Sequence, residues 1–193
     1  HCSTAIYQYD NTATAISEFE FRFDRSDDDN SRVGESSVIS GFVPLAKTNG
    51  RVYPNGNNIG DYGKDLADAR ADAILGVQFM QAGKDRGLWD AWVVPAHIER
   101  AWTYEIQDFR NWNNAGPEVC FGFEGAPGHQ TSSDRGFRRS ALGGGTYGGS
   151  GFYCAKVGGV WDGLLGEGRN WWNFASSDYH RHWSVGGSDF WPG

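Results

Sequence analysis

Long apolar runs and positive charge are both scarce in this chain. No apolar segment approaches the roughly 20 residues that are needed to span a bilayer. Lys and Arg number 17 against 24 Asp and Glu, which gives a net charge of −7. Because a protein that binds nucleic-acid phosphates needs a basic surface, this balance argues against such a partner.

Cysteine is also scarce, with only Cys2, Cys120 and Cys154, so at least one thiol is unpaired. Two alternatives stay open for the later pair: a Cys120–Cys154 disulfide, or buried free thiols. The chain has no Cys-x-x-Cys motif, no Asn-x-Ser/Thr acceptor and no visible signal peptide. Since it opens inside a motif at His1, we expect a processed, truncated or incompletely represented chain.

Glycine and aromatic residues are plentiful instead. The chain of 193 residues has 28 Gly and nine Trp, and 15% of its residues are aromatic. This composition is typical of a loop-rich enzyme or a sugar-binding surface, and it excludes a helical bundle. The length suits one sizeable core, so we expect a single domain over residues 1–193.

The hydrophobic pattern predicts alternating strands and helices in the later part of the chain. Predicted strands cover residues 17–23, 38–45, 89–94, 119–123 and 171–175. The first two lie within residues 1–60, where the pattern is hard to assign to strand or helix. Predicted helices cover residues 61–83, 101–112 and 160–165. The alternation favours an α/β fold with parallel strands, in which ligands gather at the carboxyl ends of the strands.

All five histidines stand in short motifs, and four of them are accompanied there by acids, glycines or a second histidine. These motifs are His1-Cys2-Ser3-Thr4-Ala5, the PAHIER segment with His97, the GFEGAPGHQ segment with His129, and SSDYHRHW with His180 and His182. Neutral imidazole with carboxylate is the ligand set of zinc, manganese and iron. The series therefore predicts a multinuclear metal site and a hydrolase built around it.

Two motifs pair an acid with a histidine. Asp178 and His180 are two residues apart just past a predicted strand, where they can bind one metal ion or bridge two. Glu124 is expected at the end of another strand, and the Gly and Pro residues that follow allow a tight loop back to His129. The alternatives are a turn-capping Asp178 with a surface histidine, and a Glu124 that is ion-paired with a nearby arginine.

The remaining candidates are charged residues next to these motifs. His97 is the better candidate ligand of its segment, whereas Glu99 and Arg100 are expected to form a surface pair. Arg100 has the alternative role of holding an anionic group through its planar guanidinium, as does Arg181. We expect His182 to act on the substrate side.

In their order, these motifs resemble the polymerase-and-histidinol-phosphatase (PHP) superfamily of metal-dependent phosphoesterases, in particular large, often exported bacterial PHP-domain proteins. The resemblance covers about residue 89 to the end, and few positions match before that. It implies a distorted (β/α)7 TIM-like barrel, incomplete at this chain length, and a secreted or periplasmic location. It also implies a centre of two or three divalent zinc, manganese or iron ions, with Glu124 bridging metals. The implied ligands are His1, His97, Glu124, His129, Asp178 and His180.

The resemblance further implies hydrolysis of a phosphomonoester or phosphodiester, and the acidic charge balance favours a small or lipid-like ester over long nucleic acid. The metal ions would activate a water molecule, Arg100 or Arg181 would neutralise the phosphate, and His182 would protonate the leaving oxygen. The sequence departs from the family pattern in two places. The opening motif has one histidine instead of two, and the Thr-Asp-His type motif expected after it is missing.

Two other functions fit parts of the sequence. One is a non-catalytic extracellular structural or glycan-binding protein that retains the barrel and assembles into oligomers, which the Gly and Trp content and the missing motif favour. The other is a metal-dependent hydrolase of C–N bonds, which would need a lysine near the metals. None of the four lysines stands in a metal motif.

Overall fold

The structure, a computed structural model, describes residues 2–5, 12–24, 31–46, 66–99, 104–127 and 150–176. Over these ranges the elements are β1 (Cys2–Ala5), α1 (Thr12–Phe23), α2 (Leu66–Asp85), β2 (Asp90–Val93), α3 (Ile106–Ala115), β3 (Gly122–Pro127), α4 (Phe152–Ala155), α5 (Val160–Gly166) and β4 (Trp172–Ser176). The chain forms two compact units. Unit 1 comprises Val94–Arg110 and Phe121–Gly193, and unit 2 comprises Cys2–Val93 and Asn111–Cys120.

Helix α1 of unit 2 replaces the half-buried strand that the sequence predicts at residues 17–23. Phe19 and Phe23 are four residues apart and therefore share one face of the helix, with their ring centroids 5.3 Å apart. Glu18 and Arg22 have the same spacing, and Arg22 Nε donates to Glu18 Oε1 over 2.8 Å. The strand prediction is wrong because these pairs at helical spacing outweigh the alternation of Phe and charged residues.

The strand predicted at residues 38–45 is also wrong, since this stretch forms turns and irregular chain. Glu18 of α1 accepts hydrogen bonds from Ser37 Oγ (2.6 Å) and the Val38 amide (2.7 Å). Ile39 and Leu45 are buried, so the apolar side chains reach the core without strand pairing. The buried carboxylate satisfies the Val38 amide, while the Leu45 backbone bonds with the backbone of residues 34–35.

Helix α2 confirms the helix predicted at residues 61–83, although it ends two residues later and residues 61–65 lie outside the described ranges. Gly83 makes room for Trp89, since a Cβ at Gly83 would lie 1.8 Å from Trp89 Cζ2. The indole Nε1 of Trp89 donates to Met80 O over 2.9 Å. This packing fixes the chain between α2 and β2.

Strand β2 confirms the strand predicted at residues 89–94, but its pairing differs from the expected parallel arrangement. It pairs antiparallel with β1, with Cys2 opposite Val93 and Ala5 opposite Asp90. The parallel arrangement is found in unit 1, where β3 pairs with β4, with Gly122 opposite Trp172. Helices α4 and α5 lie in the connection, as a parallel pair requires.

The core of unit 1 forms between α3 and the β3–β4 sheet. The Phe109 ring of α3 lies 5.3 Å from Phe123 and 5.8 Å from Trp171, measured between centroids. The sequence predicts this helix at residues 101–112, but it begins at Ile106, and residues 101–103 are outside the described ranges. Helix α5 and strand β4 are confirmed within one residue, whereas α4 was not predicted.

Strand β3 begins and ends later than predicted, at Gly122 and Pro127 instead of residues 119 and 123. Glu124 therefore lies within the strand, ahead of an irregularity in the pairing between Glu124 and Ala126. The wider (β/α)7 barrel and the single domain over residues 1–193 stay predictions. None of the helices in the described ranges is long and apolar enough to span a membrane.

The buried cysteines are free. Cys120 of unit 2 and Cys154 of unit 1 are both buried and unpaired, which confirms the free-thiol alternative and contradicts a disulfide between them. Burial raises the pKa of the Cys120 thiol to about 12. Burial also raises the pKa of the Cys154 thiol, and the nearby Glu99 carboxylate raises it further. Both groups are therefore protonated at neutral pH.

Candidate functional site

Glu124 is the centre of the candidate site, and its side chain is 1% exposed. It lies on β3 between Phe123 and Gly125, and its backbone amide donates to Pro95 O over 2.9 Å. Burying a carboxylate costs free energy unless hydrogen bonds compensate for the lost water. The buried Glu124 carboxylate therefore requires hydrogen-bond donors around it.

Both carboxylate oxygens of Glu124 accept hydrogen bonds. Oε2 accepts from the backbone amide of His97 over 2.7 Å, and Oε1 accepts from Ser176 Oγ in a short contact. A carboxylate accepts about four hydrogen bonds or ligand bonds in total. These two donors orient the Glu124 carboxylate between the His97 segment and the end of β4.

His97 has an unusual backbone conformation. Its φ is +31°, and it is the one non-glycine residue with positive φ among those that the structure describes. A side chain at positive φ is strained, and such residues cluster at functional sites when the surrounding contacts hold them. The hydrogen bond from the His97 amide to Glu124 is one of these contacts.

Glu99 is fully buried, with 0% exposure, so the predicted surface pair with Arg100 is wrong for Glu99. Its two oxygens accept from the backbone amides of Phe152 (2.8 Å) and Tyr153 (2.5 Å) at the start of α4. Burial raises the pKa of Glu99 to about 7, while the two amide hydrogen bonds act in the opposite direction. Arg100 lies outside the described residues.

Gly125 allows α4 to approach β3 directly after Glu124. A Cβ at this position would lie 1.9 Å from Cys154 Sγ and 2.6 Å from Asn173 Oδ1. The Gly125 amide donates to Asn173 Oδ1 over 3.0 Å, and its carbonyl accepts from the Gly151 amide over 2.8 Å. No larger residue fits there without a shift of α4 or β4.

Of the predicted site residues, the structure describes His97 and Glu124 and brings them into contact. The others lie outside the described residues: His1, Arg100, His129, Asp178, His180, Arg181 and His182. Within the described ranges, no three His, Cys, Asp or Glu residues are grouped closely enough to hold a metal ion.

Sequence reasoning missed the hydrogen bonds that Ser176, Asn173 and Glu99 make at the candidate site. Ser176 immediately precedes the Ser-Asp-x-His motif, and Glu99 stands two residues after His97, so their positions in the sequence gave a signal. Their hydrogen-bond partners are 48 to 54 residues away along the chain, and nothing in the motifs indicates them.

Comparison with protein-family models, with curated proteins and with solved structures found no match to this chain. The resemblance to the PHP superfamily therefore depends on the motifs alone, and the geometry at Glu124 is independent of it.

Proposed function

We propose that the protein is a metal-dependent hydrolase of phosphate esters with a PHP-like site. The observation that supports this proposal is the convergence of three motif segments on one buried carboxylate. Glu124 accepts hydrogen bonds from His97 of the PAHIER segment and from Ser176 at the end of β4. Asp178 follows Ser176 by two residues in the sequence.

The residues around Glu124 fit a cation in chemical terms. A buried carboxylate whose oxygens are already oriented by an amide and a hydroxyl is a typical metal ligand with its supporting hydrogen bonds. Glu124 and His97 would hold the metals together with the predicted ligands His1, His129, Asp178 and His180. Bound divalent zinc, manganese or iron would polarise a phosphoryl oxygen and lower the pKa of a water molecule.

The other predicted residues would act on the phosphate itself. Arg100 and Arg181 would bind its oxygens through charge-assisted hydrogen bonds, and His182 would donate a proton to the leaving oxygen. The net charge of −7 favours a small or lipid-like phosphomonoester or phosphodiester over nucleic acid. A secreted or periplasmic location belongs to the same proposal.

Hydrolysis of chromogenic phosphomonoesters and phosphodiesters, after loading with Zn²⁺, Mn²⁺ or Fe²⁺, tests the proposal. Glu124→Gln keeps the shape of the side chain and removes its charge, and we expect at least a 100-fold loss of kcat. Glu167→Gln is the matched control, because Glu167 is an exposed partner of Arg110 and Arg169. Absence of hydrolysis by the wild type with every metal, or equal rates in Glu124→Gln, would overturn the proposal.

A second candidate function is glycan binding without catalysis, in an extracellular structural protein that assembles into oligomers. The exposure of Trp172 on β4, at 62%, favours it, because an exposed indole is a typical platform for a sugar ring. Quenching of tryptophan fluorescence by soluble glycans, lost in Trp172→Ala, would support this function. Wild-type hydrolysis that Trp172→Ala leaves unchanged would argue against it.

A further inference from the structure

Glu99 is a fully buried carboxyl group near the site, and the proposed hydrolysis assigns it no role. We propose that Glu99 is a positioning residue that holds the His97–Glu99 turn against α4 and so fixes the place of His97. Its effect on metal binding depends on the proposed function, whereas its effect on His97 does not.

The turn is attached at each of its three residues. The His97 amide donates to Glu124 Oε2 over 2.7 Å, and the Ile98 side chain is fully buried. Glu99 accepts the amide hydrogens of Phe152 and Tyr153 at 2.8 and 2.5 Å. The positive φ of His97 is strained, so the turn needs attachments on both sides of this residue to persist.

The partner of Glu99, helix α4, is itself attached to the strand that contains Glu124. The Gly151 amide donates to Gly125 O over 2.8 Å, and Cys154 Sγ packs against Gly125. A closed ring of contacts therefore runs from Glu124 through His97 and Glu99 to α4, and back through Gly125. Breaking the ring at Glu99 removes the contact that holds the His97–Glu99 turn against α4.

The two donors require a carboxylate at position 99. A glutamine offers one acceptor oxygen, and its NH₂ group would face the second amide, which leaves a buried donor unpaired. Glu99→Gln therefore breaks one link of the ring while it preserves the volume of the side chain.

A pair of variants at Phe152 changes the same contact from the side of the amide donor. Phe152 is the first residue of α4, where proline fits the helix but has no N–H to donate. Phe152→Pro and Phe152→Ala both lose the phenyl group of the side chain. Only the proline variant also loses the backbone N–H that donates to Glu99. This pair also keeps Glu99 intact if Glu99→Gln fails to fold.

The first measurement is amide hydrogen exchange of the full chain without metal. We expect exchange at His97 to accelerate at least 10-fold in Glu99→Gln and Phe152→Pro, and to stay at the wild-type rate in Phe152→Ala. Tyr153→Phe is a further control, because it removes the bond from Tyr153 Oη to Tyr104 O (2.6 Å) in the same helix. Unchanged exchange at His97 in both test variants would overturn the inference.

The second measurement is titration with Co²⁺, whose visible absorption reports the ligand geometry. We expect a Kd at least 10-fold weaker, with an altered spectrum, in Glu99→Gln and Phe152→Pro, but not in Phe152→Ala or Tyr153→Phe. Faster exchange with unchanged Co²⁺ binding would overturn the positioning role at the metal site. If exchange at His97 is faster in the two test variants but the wild type binds no Co²⁺, the positioning of His97 by Glu99 would be supported and the proposed function would be overturned.

Discussion

The backbone amide of His97 donates a hydrogen bond to Glu124 Oε2 over 2.7 Å, although the two residues are 27 positions apart. The contact joins the strand-end histidine of one motif to the carboxylate of the next through the main chain. Substitution of the imidazole therefore does not remove this backbone donor. The side chain and the backbone of His97 can be tested separately.

The hydroxyl of Ser176 should matter for metal affinity because it orients the other oxygen of Glu124. We expect Ser176→Ala to weaken metal binding by about 10- to 100-fold, the usual cost of losing a partner of a metal ligand. Ser176→Thr retains the hydroxyl and should restore most of the affinity. Isothermal titration with Zn²⁺ measures both variants, and equal affinities for wild type and Ser176→Ala would contradict this role.

The positive φ of His97 predicts an unusual order of stability among its variants. Both His97→Ala and His97→Gly lose the imidazole, but glycine adopts φ of +31° without the clash of a Cβ. We expect His97→Gly to be more stable than His97→Ala by about 1 kcal/mol in urea unfolding. Ala96→Gly, at a neighbour without positive φ, should instead lower stability, and the same sign at both positions would contradict the strain at His97.

The buried ion pair of unit 2 should contribute to stability independently of the site. Glu18 and Arg22 are both buried, and Glu18 also accepts from Ser37 and Val38. Glu18→Gln removes the negative charge of this buried pair, so we expect a loss of about 3 kcal/mol in the free energy of unfolding. Glu20→Gln, at an exposed position of α1, should change it by less than about 0.5 kcal/mol. Similar losses in the two variants would contradict the role of the pair.

The two buried thiols should be inert in the folded protein. Burial raises the pKa of Cys120 from 9.0 to about 12, and that of Cys154 also rises. Because the thiolate is the reactive form, we expect alkylation by iodoacetamide at pH 8 to be at least 100-fold slower at both positions than in urea. Peptide mass mapping reports each cysteine separately, and native rates equal to those in urea would show that the thiols are accessible.

The same shift in the Cys120 pKa gives the sign of a pH effect on stability. Well below pH 9 the thiol is mostly protonated in both the folded and the unfolded chain, so its contribution is nearly constant. Between about pH 9 and 12 the unfolded chain ionises more readily, so stability falls as the pH rises. We expect the free energy of unfolding to fall less with rising pH in Cys120→Ala than in the wild type, as measured by urea unfolding across this range. Identical pH profiles for the two proteins would contradict the raised pKa of Cys120.

The elements that the sequence predicts well are those whose signal is local. Helix α2 has a long helical repeat of apolar residues, and α5 and β4 are bounded by glycines and polar residues. The prediction at residues 17–23 failed because Phe19 and Phe23 fit a strand and a helix equally well. The Glu18–Arg22 pair at helical spacing and contacts with the rest of unit 2, such as Phe23 against Phe79 at 5.8 Å between ring centroids, favour the helix.

The candidate site likewise has features that residue type predicts and features that depend on contacts far along the chain. Residue type and motif order led to His97 and Glu124, which the structure brings into contact, while their metal-binding role stays a prediction. The burial of Glu99 and the positive φ of His97 arise from partners far along the chain, such as Phe152 and Tyr153, and no local pattern contains them. The antiparallel pairing of β1 with β2 was not predicted because the alternation of elements gives no information about strand direction at the start of the chain.

Metal content is the most direct test of a metal centre built around Glu124. We would purify the wild type, Glu124→Gln and Glu167→Gln in parallel without chelators and determine bound metals by elemental analysis. We expect two or three zinc, manganese or iron ions per chain in the wild type and in Glu167→Gln, and at least one fewer in Glu124→Gln. A wild-type protein without stoichiometric metal, even after incubation with all three ions, would contradict the account.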